Sequence, residues 1–226
     1  MRKIFKSTLG IAAAALLVGS LAACSPTTTT TPAPAATSEA PAADPTPQAS
    51  IPALAGVDTQ VTLDQGFVDA LTTLGLTPGT LGTATLTDGV LAFPITGGNV
   101  DYYDPAESYR PYVQGSISHD GSGISLTAGD IVVELTDFRI DPGTSQLFGT
   151  VTANGALVAN DVYIFNLDGS TLNPLATDAD GNAVLEGTTV LVSPDAAALL
   201  NETFGTDAVT DQLVVGIAKI TVKAAA

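Results

Sequence analysis

The sequence predicts an all-β fold for residues 51–226: an antiparallel β-sandwich, or flattened barrel, of about ten strands with two short helices. Three observations carry that expectation. Runs of four to eight residues rich in Val, Ile, Leu and Thr recur every ten to fifteen residues, divided by Gly, Asp, Asn and Pro, which is the punctuation of an all-β chain. Apolar residues alternate within the runs, most clearly at Val113, Gly115, Ile117 and at Ile131, Val133, Leu135, so that one face of each strand is buried. The runs are joined by dipeptides that tolerate positive φ at hairpin tips.

In chain order, strands are expected at 57–63, 80–87, 90–96, 99–103, 111–118, 122–127, 131–140, 145–153, 161–166, 184–192 and 213–222. Turns are expected at Thr87-Asp88-Gly89, His119-Asp120-Gly121, Asn154-Gly155, Asp168-Gly169 and Asp180-Gly181-Asn182. The alternation slips by one residue after Asp137 and again between Ile217 and Ala218. A slip turns side chains to the opposite face, so bulges or bends are predicted near Asp137 and Gly216 to Lys219. Asp64 is placed to cap a helix reaching about Leu74, with Phe67, Leu71 and Leu74 on one face. Ser193 followed by Pro194 is placed to cap a second reaching about Glu202, with Ala196, Leu199 and Leu200 inward. Both regions run strand, capped helix, loop, strand, either as a pseudo-repeat or as two uses of a common unit.

Ahead of this domain the chain has a different character. Arg2, Lys3 and Lys6 precede an apolar run from Leu9 to Val18, too short to cross about 30 Å of hydrocarbon, followed by Leu21-Ala22-Ala23-Cys24. This pattern resembles the lipobox of bacterial prolipoproteins. The resemblance implies a signal peptide over residues 1–23, a diacylglyceryl group on Cys24, and a mature protein beginning at that cysteine. Two acyl chains hold a bilayer stably where one does not, so the expected address is the extracytoplasmic face of a cell membrane. Cys24 is the sole cysteine, which leaves no intrachain disulfide to stabilise the domain. Residues 25–50 are almost entirely Thr, Pro, Ala and Ser and lack the aliphatic content that offsets ordering entropy, so 24–50 is expected to be a disordered, lipidated linker.

Past Cys24 the chain has four cations, Arg110, Arg139, Lys219 and Lys223, against all 23 of its acidic residues. Such a balance argues against nucleic acid as a partner, because phosphate binding rests on clustered Lys and Arg. The remaining partners are the membrane through Cys24 and a surface protein or small-molecule ligand.

The segment Gly115-Ser116-Ile117-Ser118-His119-Asp120-Gly121-Ser122-Gly123-Ile124-Ser125-Leu126, with Phe93-Pro94-Ile95-Thr96-Gly97-Gly98 upstream, resembles the strand, His-x-Gly turn and strand of the HtaA-type β-sandwich of actinobacterial haem-uptake surface proteins. The resemblance spans most of residues 57–222. It implies a haem site in which a tyrosine near the start of the domain ligates iron and a hairpin histidine supports it. His119 matches the histidine, but no tyrosine stands at the matching early position. Tyr102, Tyr103, Tyr109 and Tyr112 would have to supply a ligand from a different place. By itself, a lone His beside Asp-Gly is more often a solvated turn residue or a bonded structural one.

Other chemistry is less well marked. Asp178, Asp180 and Asn182 place three oxygen side chains at alternate positions, as Ca²⁺ requires, but Ala183 and Thr189 stand where an EF-hand has Gly and Glu. Zinc and copper sites need several His or Cys ligands, and His119 alone is left to serve. A hydrolase would have to use His119, without a Gly-x-Ser-x-Gly elbow. Four of the five tyrosines fall between Tyr102 and Tyr112, a composition suited equally to an interface and to a plug at the end of a β fold. The expectation is therefore a non-catalytic, lipid-anchored surface protein whose β domain binds a ligand or partner, with no obligatory cofactor. A haem-uptake module and a hydrolase using His119 stay open as alternatives.

Overall fold

The computed structural model describes residues 45–224. The lipobox, Cys24 and residues 25–44 of the Thr/Pro/Ala segment lie outside the described residues. Thirteen strands form in the order β1 (Ala49–Ile51), β2 (Leu54–Leu63), β3 (Thr77–Gly82), β4 (Thr85–Thr87), β5 (Val90–Pro94), β6 (Gly97–Tyr102), β7 (Val113–Ala128), β8 (Ile131–Asp141), β9 (Gln146–Ala153), β10 (Ala156–Asp168), β11 (Ala176–Thr177), β12 (Ala183–Val192) and β13 (Val214–Ala224). Helix α1 (Gln65–Thr73) follows β2, and α2 (Pro194–Phe204) follows β12.

The strands join one antiparallel sheet in the order β1-β6-β7-β8-β9-β10-β12-β13-β2-β5-β4, with β3 added to β7 and β11 to β12. This sheet curls into a half-barrel, the flattened-barrel form of the expected architecture. Its two ends are three-residue strands, β1 and β4, which leaves little unpaired edge. The buried core runs from Leu54 to Val222 and includes Ile117, Val133, Phe138, Val151 and Ile164. All of it lies within the compact unit Ala43–Ala226, which therefore carries its own means of folding.

The helices form where their caps stand. Asp64 Oδ1 accepts from Gly66 N at 2.8 Å, and α1 buries Phe67 and Leu71. Ser193 Oγ accepts from Ala196 N at 3.0 Å, and α2 buries Ala196, Ala197 and Leu200 before ending at Gly205 in the left-handed region. The two strand–helix–strand units are not equivalent in pairing. The strand after α1, β3, pairs with β7, whereas the strand after α2, β13, lies between β12 and β2.

Several expected boundaries move. Pairing begins before residue 51, with Ala49 opposite Tyr102 and Ser50 opposite Asp101. The expected strand 80–87 is two strands: Gly82, at φ 59°, breaks it so that β3 joins β7 and β4 joins β5. The expected turn at His119-Asp120-Gly121 is not a hairpin tip. Segments 111–118 and 122–127 are one strand, β7, whose near half pairs with β6 and whose far half pairs with β3.

The predicted bulge at Asp137 is present, where β8 and β9 shift register between Thr136 and Arg139 and Asp137 takes φ 53°. The second slip is absorbed differently from the expectation. Gly187, at φ 111°, is the extra residue, and it lies on β12 opposite Lys219 and Ala218. A further irregularity falls at Val190/Leu191 opposite Val214 and Gly216. Ile217 is left 43 % exposed while Ala218 and Val222 turn inward.

Candidate functional site

Inside the curl lies a cavity of about 540 Å³, within the usual span of ~300–1,000 Å³ for small-molecule sites. Nearly every element of the path contributes to its wall: Thr59 and Val61 from β2, Leu91 and Phe93 from β5, Val100 and Tyr102 from β6, Ile117, His119 and Ile124 from β7, Phe138 and Ile140 from β8. Phe165 and Leu167 from β10, Val190 from β12, and Val215, Ala218, Ile220 and Val222 from β13 close the far side. Loop residues Arg110, Pro111, Tyr112, Pro142, Gly143, Leu172 and Leu175 add to the lining. The lining is overwhelmingly aliphatic and aromatic, and Arg110 is its one residue charged at neutral pH.

His119 reaches this wall because of a bulge. On β7, three residues separate His119, opposite Phe138, from Gly123, opposite Thr136, while β8 has Asp137 alone between the same partners. The surplus residues are tied down by side chains. Gly121 N donates to Asp137 Oδ1 at 2.9 Å, Asp120 N to Thr96 Oγ1 at 2.9 Å, and Ser122 Oγ to the His119 carbonyl at 2.9 Å. The bulge moves the buried phase of β7 from odd positions, Ile117 and His119, to even ones, Ser122, Ile124 and Leu126. The residues that read as a turn thus aim an imidazole into the interior.

His119 is 1 % exposed and Thr59 4 %. The Phe138 carbonyl, 3.2 Å from Nδ1, can only accept, so Nδ1 carries the proton. Nε2 is then the acceptor, and Thr59 Oγ1 donates to it at 2.8 Å. Burial holds His119 down to about 4 from its ordinary 6.5, outweighing the Phe138 carbonyl and the carboxylates of Asp120 and Asp58, which favour the charged form. The imidazole is neutral at pH 7. Phe93 packs edge-on against Phe138 at 5.3 Å and His119 at 6.5 Å between ring centres, which fixes the ring from the side.

The tyrosine-rich segment separates into two pairs. Tyr102 and Tyr112 meet edge-on at 5.9 Å and face the cavity, whereas Tyr103 and Tyr109 meet at a tilt, 4.5 Å between ring centres, outside its lining. Burial, with Tyr102 adding to it and Arg110 opposing it, raises the Tyr112 phenol above its ordinary value. Arg110 sits over the Tyr112 ring, 5.5 Å from its centre. Its Nη1 donates to the carbonyls of Glu107 and Tyr109, and its Nη2 to that of Pro105.

Asp178, Asp180 and Asn182 contribute nothing to the lining, although their neighbours Leu175 and Ala183 do, and the segment is internally satisfied. Asp178 Oδ1 accepts from Asp180 N and Asn182 N, and Oδ2 from Asn182 Nδ2 at 2.9 Å, bonds that lower the Asp178 carboxyl below its ordinary value. Its oxygens close a turn. Among the described residues, no three His, Cys, Asp or Glu side chains converge as a metal cluster.

Of the sequence candidates, the fold therefore brings His119, Tyr102 and Tyr112 to one cavity, leaves Tyr103 and Tyr109 outside it, and places Asp178, Asp180 and Asn182 elsewhere. Sequence reasoning passed over Thr59, Phe93, Phe138 and Arg110 as members of a site. Thr59 had a signal, since it is a polar residue on the inward face of β2, in phase with Val61. Arg110 had only its rarity.

No protein-family model matches the chain, and no curated protein matches it. Among solved structures, the chain is similar to the C-terminal domain of HtaA from Corynebacterium glutamicum, at 17 % identity and TM-score 0.49, covering 77 % of this chain and 99 % of that one. It is similar to the N-terminal domain of HtaA from the same organism at 12 % identity and TM-score 0.49, covering 76 % and 99 %. The heme-binding protein HtaB of that organism is similar at 5 % identity and TM-score 0.46, covering 77 % and 96 %.

Proposed function

We propose that this chain is a lipid-anchored, extracytoplasmic binding protein whose β domain takes up a small, largely apolar molecule and does no chemistry on it. The observation that carries this reading is the cavity of about 540 Å³, whose wall is aliphatic and aromatic apart from a few polar groups. Burial of a ligand there gains roughly 25 cal/mol per Å² of apolar surface removed from water. The anchor rests on Leu21-Ala22-Ala23-Cys24, and the residues between Cys24 and the first sheet contact at Gln48 are the tether between lipid and domain. A Pro-rich segment of this kind extends at about 3.1 Å per residue, enough to hold the domain up to ~70 Å from the membrane.

The His119–Thr59 pair is poorly suited to catalysis. A hydroxyl donating to a neutral imidazole is the first half of a nucleophile–base dyad, but an imidazole held near 4 is a weak base at pH 7. Thr59 also lies mid-strand, paired to Ile220 on one side and Phe93 on the other, so the backbone N–H groups around it serve the sheet rather than an oxyanion. The pair satisfies two buried polar groups.

Haem is the second reading, favoured by the presence of His119, Tyr102 and Tyr112 on one apolar wall. The residues present fit an iron ligand set poorly. Both ring nitrogens of His119 are engaged, the partner of Nε2 is the aliphatic hydroxyl of Thr59, and burial disfavours the Tyr112 phenolate. Displacement of an environment-sensitive apolar dye from Ser25–Ala226 by haem and by iron-free protoporphyrin separates the two readings. Equal displacement by both porphyrins, unaltered in His119→Ala, is the result expected if burial alone drives uptake. A strong preference for haem that His119→Ala abolishes would move the assignment to a haem-ligating module, and failure of the dye to bind at all would overturn both readings.

A further inference from the structure

We infer that the cavity selects an amphiphile with a single anionic head, a carboxylate or a phosphate monoester, and that Arg110 at the solvent-open end receives that head. The inference rests on the apolar-binding reading above and adds the class of ligand.

Past Cys24 the chain has only four cations among its 23 acids, yet the one charged residue lining the cavity is a cation, and no carboxylate shares the lining with it. Arg110 is itself exposed, so it marks where the cavity meets water. Among the described residues the sole ion pair joins Arg139 to Asp161, far along the chain, and Arg110 spends its bonds on the carbonyls of Pro105, Glu107 and Tyr109. Those neutral acceptors fix the planar group without cancelling its charge. A guanidinium has five N–H donors and only one of its outer nitrogens is doubly committed here, so a donor edge is left for a planar or tetrahedral anion. The Tyr112 ring beneath it, 5.5 Å from ring centre to guanidinium carbon, helps hold the fork in place. An uncharged apolar ligand would leave this cation without a counter-charge at the mouth, whereas an anionic head gains a charge-assisted bond there while its apolar body fills the interior.

The test is competition against an uncharged apolar dye on Ser25–Ala226, using hexadecanoate, hexadecyl phosphate and hexadecanol, each below its aggregation limit. At least one anion is expected to compete about tenfold or more better than the alcohol, as a hydrogen bond to a charged group warrants. Raising the salt should shrink that ratio. It should fall to within about threefold in Arg110→Met and be largely kept in Arg110→Lys, which retains charge but not the carbonyl network. Selectivity shared by both anions assigns the site to charge; selectivity for one alone assigns it to that head. Equal competition by alcohol and anions in the unaltered chain, or a ratio that survives in Arg110→Met, would overturn the inference while leaving the apolar reading standing. Absence of dye binding would remove both.

Discussion

His119 is the residue on which the interior is organised, and its chemistry is measurable. In the folded chain it is held near 4, and in the unfolded chain it returns to about 6.5. The unfolded state therefore takes up the proton first as pH falls. Stability contributed by the neutral imidazole is complete above about 6.5 and is lost as pH drops toward 4, to the extent of about 3 kcal/mol. In denaturant titrations across that window, His119→Gln should lose less stability than the parent chain. Parallel curves would mean that the imidazole is not buried as described. Thr59→Val keeps the shape of the side chain but strands Nε2 without its donor, and is expected to cost about 1–3 kcal/mol by the same measurement. Thr59 was legible only as an odd polar residue in an apolar stripe. Its partner lies 60 residues away, and no local pattern reports a pairing at that distance.

Elements were legible where a local signal decides them. Asp64 and Ser193 stand at the starts of both helices because capping is a contest among neighbouring atoms, and Gly205 closes α2 for the same reason. Ser193 is wholly buried and does two jobs, accepting from Ala196 N and donating to the Tyr163 carbonyl at 2.6 Å. Ser193→Ala should cost about 1–3 kcal/mol, with loss of amide-exchange protection concentrated in α2. Besides the strand divided at Gly82, the misread element was β7. Asp-Gly signals positive φ, and Gly121 indeed takes φ 73°, but a bulge uses that conformation as readily as a hairpin. Which of the two forms depends on whether the flanking segments share neighbours, and here both pair with β8. Gly98, at φ 121°, shows how close the strands come: an added Cβ would overlap the Ser116 carbonyl oxygen on β7. Gly98→Ala is expected to lower the melting temperature markedly, because both the backbone conformation and the β6–β7 contact resist it. A variant that melts within about a degree of the parent would contradict the described pairing.

At the scale of the molecule, alternation in the sequence foretold many strands with one buried face, and the curled antiparallel sheet is what those faces build. Alternation says which residues face inward, not how completely they fill the space they enclose. A closed core and an open cavity have the same period-two pattern, so the cavity was not legible, nor was the convergence of Arg110 with Tyr102 and Tyr112 at its lining. What the fold adds is an interior whose wall draws on at least eight strands and is overwhelmingly apolar. Filling that interior from within is the most direct challenge to this account. Ala218 is buried on β13 and faces the cavity. Titration of an environment-sensitive apolar dye into Ser25–Ala226 should saturate at one molecule per chain, and Ala218→Phe, with its far-ultraviolet circular dichroism unchanged, should weaken that binding at least about tenfold. Undiminished binding in a folded Ala218→Phe chain would place the dye on the outer surface and contradict uptake into the interior.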